Sequence, residues 1–274
     1  MKFPIFSSLL LASCTLPISA ATLISQFDFS AANPFQNQLG PGNNPLSQLI
    51  DQGTSTTVNQ SGGYVSMNGT SYLQGAASGG GDSSSLSGGT ATQNGKWGYS
   101  VWFRTSDVGQ ADFTGLVSHG SADFSHQVSF GPTSGQLLSL MQGGDTQGQD
   151  SVAIIDGLQA DTWYHLIMTR DASDNNQATV GITPFGQATA NTPLDTTPTA
   201  TNIGHGGDFR LGSNRAESLF FEGDFANLQV FTGELSQSEI QTLYENPNFD
   251  AIPEPSSAAL LGLAGLGFIL RRRK

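Results

Sequence analysis

The chain has 274 residues, with 22 acidic side chains against 10 basic ones and a formal net charge of −12. Lys2 and the last four residues hold half of the positive charge, so the segment 21–252 carries five basic residues and 21 acidic ones, a net charge of −16. That balance excludes nucleic acid as a partner, because phosphate contacts need Lys and Arg; it suits solubility outside the cell and draws divalent cations. The single cysteine, Cys14, leaves no disulfide in the body of the chain. The body is about 230 residues long, ample for one core.

The N-terminus opens with Met1-Lys2, continues through the apolar stretch Ile5–Leu16 and reaches the small residues Ser19-Ala20-Ala21. This is the pattern of a secretory signal peptide over residues 1–21, cut after Ala20 or Ala21. Leu11-Ala12-Ser13-Cys14 also fits a bacterial lipobox with Cys14 lipidated. Both readings stay open at this level.

Residues 22–246 read as one all-β domain. Helix formers are scarce, and short alternating apolar runs are separated by Gly, Asn and Asp clusters, as in a sandwich or barrel. The first strand is expected over Leu23–Phe29. Gly63–Met67 and Ser71–Leu73 are expected to pair as a hairpin around Asn68-Gly69, a favoured tight-turn pair. Gly75–Gly95 is low-complexity loop. Trp97–Arg104 alternates strongly, placing Trp97, Tyr99, Val101 and Phe103 on one face. Further strands are expected at Thr114–His119, His126–Phe130, Leu137–Met141, Ser151–Ile155, Trp163–Arg170 and Gln177–Thr183. After a long loop over Pro184–Gly207 come Phe209–Gly212 and Glu222–Phe231. One helix follows, with Ser236 as N-cap, Glu239 completing a capping box, and Ile240, Leu243 and Tyr244 on one face. Asn246-Pro247 stops it, and residues 247–252 form a linker.

The last 22 residues differ in kind. Pro253-Glu254-Pro255 precedes an uncharged apolar run, Ser256–Leu270, and the chain ends on Arg271-Arg272-Arg273-Lys274. The run is shorter than the ~20 residues that usually cross a bilayer. The four cations act as a stop-transfer signal and stay cytoplasmic. A glycolipid-anchor signal ends apolar, unlike this one.

This tail resembles the bacterial PEP-CTERM sorting signal, with its Pro-Glu-Pro motif, short transmembrane helix and Arg-rich end in order. The resemblance implies that an exosortase recognises Pro253, Glu254 and Pro255. It further implies processing there in a Gram-negative bacterium that makes exopolysaccharide. The protein would be membrane-anchored through the C-terminal helix before processing, and destined for the cell envelope, cell surface or extracellular matrix. Three body segments carry a second resemblance: WGYSVWFR at 97–104, WYHLIMTRD at 163–171, and the stretch from Phe209 to Tyr244 with FRLG and FFEGDFANLQVFTGELSQSEIQTLY. In this order they resemble the laminin-G-like group of the concanavalin A-like lectin/glucanase superfamily. That implies an antiparallel two-sheet jelly-roll sandwich, and it makes rim-loop calcium a candidate cofactor, because many such domains carry it. It implies no particular activity.

Candidate chemistry is sparse. Glu222 and Asp224 share a strand face, and glycosidases need two carboxylates about 5–9.5 Å apart. Glucanases of the superfamily that place theirs on one strand read Glu-x-Asp-x-Glu, and here the third position is Ala226, so no catalytic residue is assigned. His119, Asp123 and His126 offer zinc-type ligands in an incomplete set and read better as turn residues. His165 reads as a structural hydrogen-bonder. Asp171, Asp174, Asn175 and Asn176 form a polar turn without EF-hand spacing. Trp97, Trp102 and Trp163 read as core rather than as a sugar platform. The expected function is an exported, non-catalytic module that binds a polysaccharide or a surface protein. The alternatives are an exported glycoside hydrolase or lyase of the same superfamily, and a structural matrix component without a ligand.

Overall fold

The structure, a computed structural model, describes residues 21–39, 46–53, 56–76, 96–120, 124–143, 149–171, 177–196 and 208–247. In chain order these form β1 (Thr22–Phe27), β2 (Gln48–Asp51), β3 (Thr57–Asn59), β4 (Tyr64–Asn68), β5 (Leu73–Ala76), β6 (Lys96–Arg104), β7 (Gly115–Gly120) and β8 (Phe124–Phe130). They continue with β9 (Leu137–Gly143), β10 (Gln149–Ile155), β11 (Tyr164–Asp171), β12 (Gln177–Pro184), β13 (Leu194–Asp195), β14 (Phe209–Leu211), β15 (Glu222–Thr232) and the helix α1 (Gln237–Glu245). The strands make two antiparallel sheets. An eight-stranded sheet runs β13-β12-β11-β6-β15-β4-β3, with β1 also on β15; a seven-stranded sheet runs β10-β9-β8-β7-β14-β5-β2. The expected all-β two-sheet antiparallel sandwich is present and is consistent with a jelly roll.

The long strand β15 organises the first sheet. One edge pairs with β6, while the other pairs with β4 over Glu222–Ala226 and with β1 over Leu228–Thr232. Thus the start of the domain is laddered to its end. The alternation of β6 works on both faces. Trp97, Tyr99, Val101 and Phe103 point into the inter-sheet core beside Phe225, Met168 and Phe209, as the period of two requires. Trp102 points outward and is buried all the same, because α1 covers it. Its ring stacks on His165 at 4.8 Å and on Tyr244 at 5.6 Å.

The helix is as the sequence predicts. Ser236 caps it and Glu239 completes the capping box. Ile240 and Tyr244 join Trp102, Trp163, Ile167 and Ala226 in a second apolar cluster on the outer face of the eight-stranded sheet. The Tyr244 hydroxyl reaches the carbonyls of Pro184 and Gln187, each at 3.0 Å, so the helix is tied to the sheet's far loop.

Several expectations need correction. The Asn68-Gly69 turn exists, with Gly69 at φ 78 and Asn68 Oδ1 accepting from Thr70 N at 3.2 Å. It does not close a hairpin, because β4 belongs to the eight-stranded sheet and β5 to the other. The hairpin partner of β4 is β3, which together with β2 was not expected. β1 ends at Phe27; Asp28 Oδ1 then accepts from Ser30 N at 2.8 Å, turning the chain. β5 runs into the start of the expected loop 75–95. The expected loop 184–207 contains β13, which pairs with β12 at Thr179 and Val180. Residues 1–20 and 248–274 lie outside the described residues, as do the signals read there: Ala20, Pro253-Glu254-Pro255, the apolar run 256–270 and the basic end 271–274. Among the described residues, no helix is long and apolar enough to cross a membrane.

Candidate functional site

The outer face of the seven-stranded sheet carries a hollow of about 210 Å³, lined by Phe113, Gln127, Asn214, Arg215, Ala216 and Leu219. Two loops build it. The first, between β6 and β7, holds Phe113 at φ 67, a left-handed conformation that is an outlier for a bulky side chain. Hydrogen bonds to β8 fix it there: Phe113 N donates to Phe130 O and Phe130 N to Thr114 O, both at 2.9 Å. Phe113 is 42% exposed.

The second loop, between β14 and β15, folds over the sheet and is knotted by its own polar groups. Asn214 Oδ1 accepts from Ser218 N at 3.0 Å and from Leu219 N at 3.3 Å. Arg210 on β14 donates to Glu217 Oε1 at 2.7 and 2.9 Å, and it also reaches the carbonyls of Gly120 and Asp208. The Glu217 carboxyl is accordingly held below its usual range: burial pushes it up, but hydrogen bonds from Arg210 and Tyr72 and the guanidinium charge outweigh that. Tyr72 stacks on Phe220 at 5.8 Å. Arg215 N donates to Gln127 Oε1 on β8 at 3.2 Å. At Gly115 the loop comes so close that a Cβ would lie 2.3 Å from the Ser213 carbonyl, so only glycine fits beneath it. The walls are therefore preformed. They offer an aromatic face and a guanidinium, while the Asn214 carboxamide holds the loop and Gln127 Oε1 accepts from Arg215 N.

A second hollow of about 330 Å³ lies at one end of the eight-stranded sheet, lined by Met67, Arg104, Thr105, Ser106, Asp161, Glu222, Gly223 and Asp224. The structure does bring Glu222 and Asp224 to one hollow, as their spacing predicts. Asp224, however, is engaged: Arg104 donates to its Oδ2 from Nε at 3.0 Å and from Nη2 at 2.5 Å, and Ser66 Oγ donates to Oδ1 at 2.6 Å. The Arg104 guanidinium lies over the Trp163 ring at 4.8 Å and the Tyr64 ring at 5.4 Å, two rings that meet edge to face. An anion neutralised in this way is a poor nucleophile or base.

The three histidines among the described residues, His119, His126 and His165, are structural. His119 and His126 face each other across β7 and β8 and are buried, so reading them as turn residues is corrected; Asp123 lies outside the described residues. His126 Nε2 meets Ser139 Oγ at 3.1 Å, and the His119 ring abuts Trp97 at 5.3 Å. Burial first, then the charges of Arg170 and His119, push the His126 pKa down to about 3. His165 is the hydrogen-bonder expected, with Nε2 at 2.7 Å from Ser100 Oγ and a pKa lowered by burial to about 3. Arg170, also interior, is lowered by burial to about 9. Trp97, Trp102 and Trp163 are all buried, as expected of core residues. Among the described residues, no three His, Cys, Asp or Glu side chains come together to hold a metal. Asp174, Asn175 and Asn176 lie outside those residues, and of Asp171 only the backbone is described.

The topology and the two covered sheet faces define an antiparallel lectin-type sandwich. Comparison with known families makes this specific: residues 78–241 match the family described as the concanavalin A-like lectin/glucanases superfamily, and the chain belongs to it. Residues 251–274 match the PEP-CTERM protein-sorting motif, which implies exosortase processing, export and cell-surface sorting in bacteria. No curated protein sequence matches the chain. Among solved structures it is similar to the binding domain of botulinum neurotoxin serotype G, at 11% identity and a TM-score of 0.57 over 82% of this chain and 51% of that one. It is similar to the receptor-binding domain of the mosaic serotype C/D toxin, at 11% identity and a TM-score of 0.59 over 82% and 50%. A third similar structure is the serotype D ligand-binding domain in complex with N-acetylneuraminic acid, at 10% identity and a TM-score of 0.55 over 82% and 50%. The chain thus spans about half the length of these structures, and at such identity the likeness is one of fold.

Proposed function

We propose that the protein is an exported glycan-binding module without catalytic activity, delivered to the surface or matrix of a Gram-negative bacterium. A signal peptide, cut after Ala20 or Ala21, would start its export. The C-terminal run 256–270 would hold it in the membrane until an exosortase acts at Pro253-Glu254-Pro255. The observation that carries the binding reading is Phe113. A left-handed bulky residue costs about 1–3 kcal/mol, and here that strain presents an aromatic ring to solvent rather than to the core. An exposed ring stacks on the apolar face of a sugar, and the guanidinium of Arg215, which lines the same hollow, suits hydroxyls and acidic groups. The ion pair that occupies Asp224 supports the non-catalytic side of the proposal.

The test is a glycan array on residues 21–250, run with calcium and with a chelator, which also examines the candidate cofactor. Binding that disappears in Phe113→Gly at unchanged or raised stability is the expected result. An array that stays blank under both conditions would sink it.

A further inference from the structure

Ala21 immediately precedes β1, and its backbone nitrogen donates to Glu239 Oε1 at 3.1 Å. The other oxygen of that carboxylate serves the helix cap, accepting from Ser236 N at 2.7 Å and from Ser236 Oγ at 2.6 Å. Burial raises the Glu239 pKa, but the hydrogen bonds from Ser236 and Ala21 outweigh it, and the carboxyl stays ionised below its usual range. Ala21 and Leu23 also pack against the cluster around Trp102 and Tyr244, and Thr22 opens the ladder opposite Thr232. Ala21, at the end of the small-residue run Ser19-Ala20-Ala21, is therefore held against α1 and the sheet.

We propose that the chain is hydrolysed between Ala20 and Ala21 and that the ammonium group so created is received by Glu239, clamping β1 to α1. The inference rests on the export reading. A membrane signal peptidase supplies the hydrolysis. One water is consumed, the Ala20 carbonyl carbon takes its hydroxyl as the C–N bond breaks, and the Ala21 nitrogen gains the protons that make it an ammonium. A cut one residue later would discard this donor. Lipidation at Cys14 would leave it a neutral amide. An ammonium-to-carboxylate hydrogen bond is roughly twice as strong as a neutral one, so processing tightens the fold it releases.

The sign with pH follows from the charge. An α-amino group that gains a carboxylate partner has its pKa raised above the usual value of about 7.7. The added stability is fully present below that value and is lost as pH climbs through the folded one. The charged group facing the amine is Glu239 from α1. Thr232, opposite Thr22 on β15, adds no charge.

The experiment expresses the full chain in an exporting Gram-negative host and determines the mature N-terminus by mass spectrometry. Melting of the purified product is then compared at pH 7 and pH 10 before and after selective acetylation of the α-amine, in wild type and in Glu239→Gln. Expected are an Ala21 terminus and a fall in Tm of roughly 2–4 °C on acetylation at pH 7. The fall should be absent at pH 10 and absent in Glu239→Gln. A terminus at Thr22, a lipidated Cys14, or an Ala21 terminus indifferent to acetylation overturns the inference. Retained Met1 overturns the export reading together with it, whereas failure of glycan binding with the Ala21 clamp intact sinks the binding proposal alone.

Discussion

Mild acid should unfold this domain through two histidines before its carboxylates titrate. His126 and His165 are buried, and each has its pKa lowered to about 3, mainly by burial. Unfolding returns each to about 6.5. A histidine lowered in the folded state contributes stability that is complete above its unfolded pKa and drains away as pH falls towards the folded one. Between pH 7 and pH 5 the unfolded chain takes up about three quarters of a proton per site and the folded chain almost none. The linkage integral over that interval is roughly 2 kcal/mol per histidine, so about 4 kcal/mol for the pair. For a domain of this size that is a drop in Tm on the order of 8–16 °C. The interval lies above the range where carboxylates titrate. Urea unfolding at pH 7, 6 and 5 gives the slope directly. His165→Gln and His126→Gln will each lower stability at pH 7, by losing the contacts to Trp102 and Ser100 or to Ser139, but each should flatten the pH dependence by about half. A wild-type domain equally stable at pH 5 and pH 7, or variants with the full slope, would refute the assignment of these rings as neutral core groups.

Other outcomes follow from single contacts. Asp224→Ala strips Arg104 of its carboxylate while leaving the guanidinium over Trp163 and Tyr64; chemical denaturation should show a loss of about 1–3 kcal/mol. Glu222→Gln, on an exposed side chain, should leave stability within about 0.5 kcal/mol. Ser236→Ala removes the cap of α1 and should cost about 1 kcal/mol, seen as a lower urea midpoint at an unchanged m-value. Gly115→Ala forces a Cβ against the Ser213 carbonyl; circular dichroism melts should fall, and any glycan binding should fall with them as the loop over the hollow shifts.

Much of the fold was legible because it rests on periodicity. The alternation of Trp97–Arg104, the Trp-x-His strand and the Ser236/Glu239 capping box are local signals, and each occurs where the residues put it. The resemblance of these segments to a laminin-G-like domain pointed to the right superfamily. Failure came where partner choice is non-local. Asn68-Gly69 carries the turn chemistry, but nothing in those residues says that the chain then crosses to the other sheet, because that depends on β15 lying alongside β4. The short strands β2, β3 and β13 have too few residues for a period to show. His119 and His126 looked like turn residues because polar character was weighed above their place in the strand alternation. The hollow beside Phe113 escaped for a related reason: its walls come from loops about 100 residues apart. The one local signal is a lone aromatic ring in the polar stretch GQADFTG, which sequence reasoning passed over in favour of the tryptophans.

The central claim is that the Phe113 hollow binds a sugar. The direct test is titration calorimetry of residues 21–250 and of Phe113→Gly against the best glycan found on the array, with urea unfolding of both proteins alongside. Relief of the left-handed strain should leave the variant as stable as wild type or up to about 1 kcal/mol more stable, while its affinity falls about tenfold or more. Equal affinity in the two proteins, or an affinity loss that tracks a loss of stability, would contradict the claim.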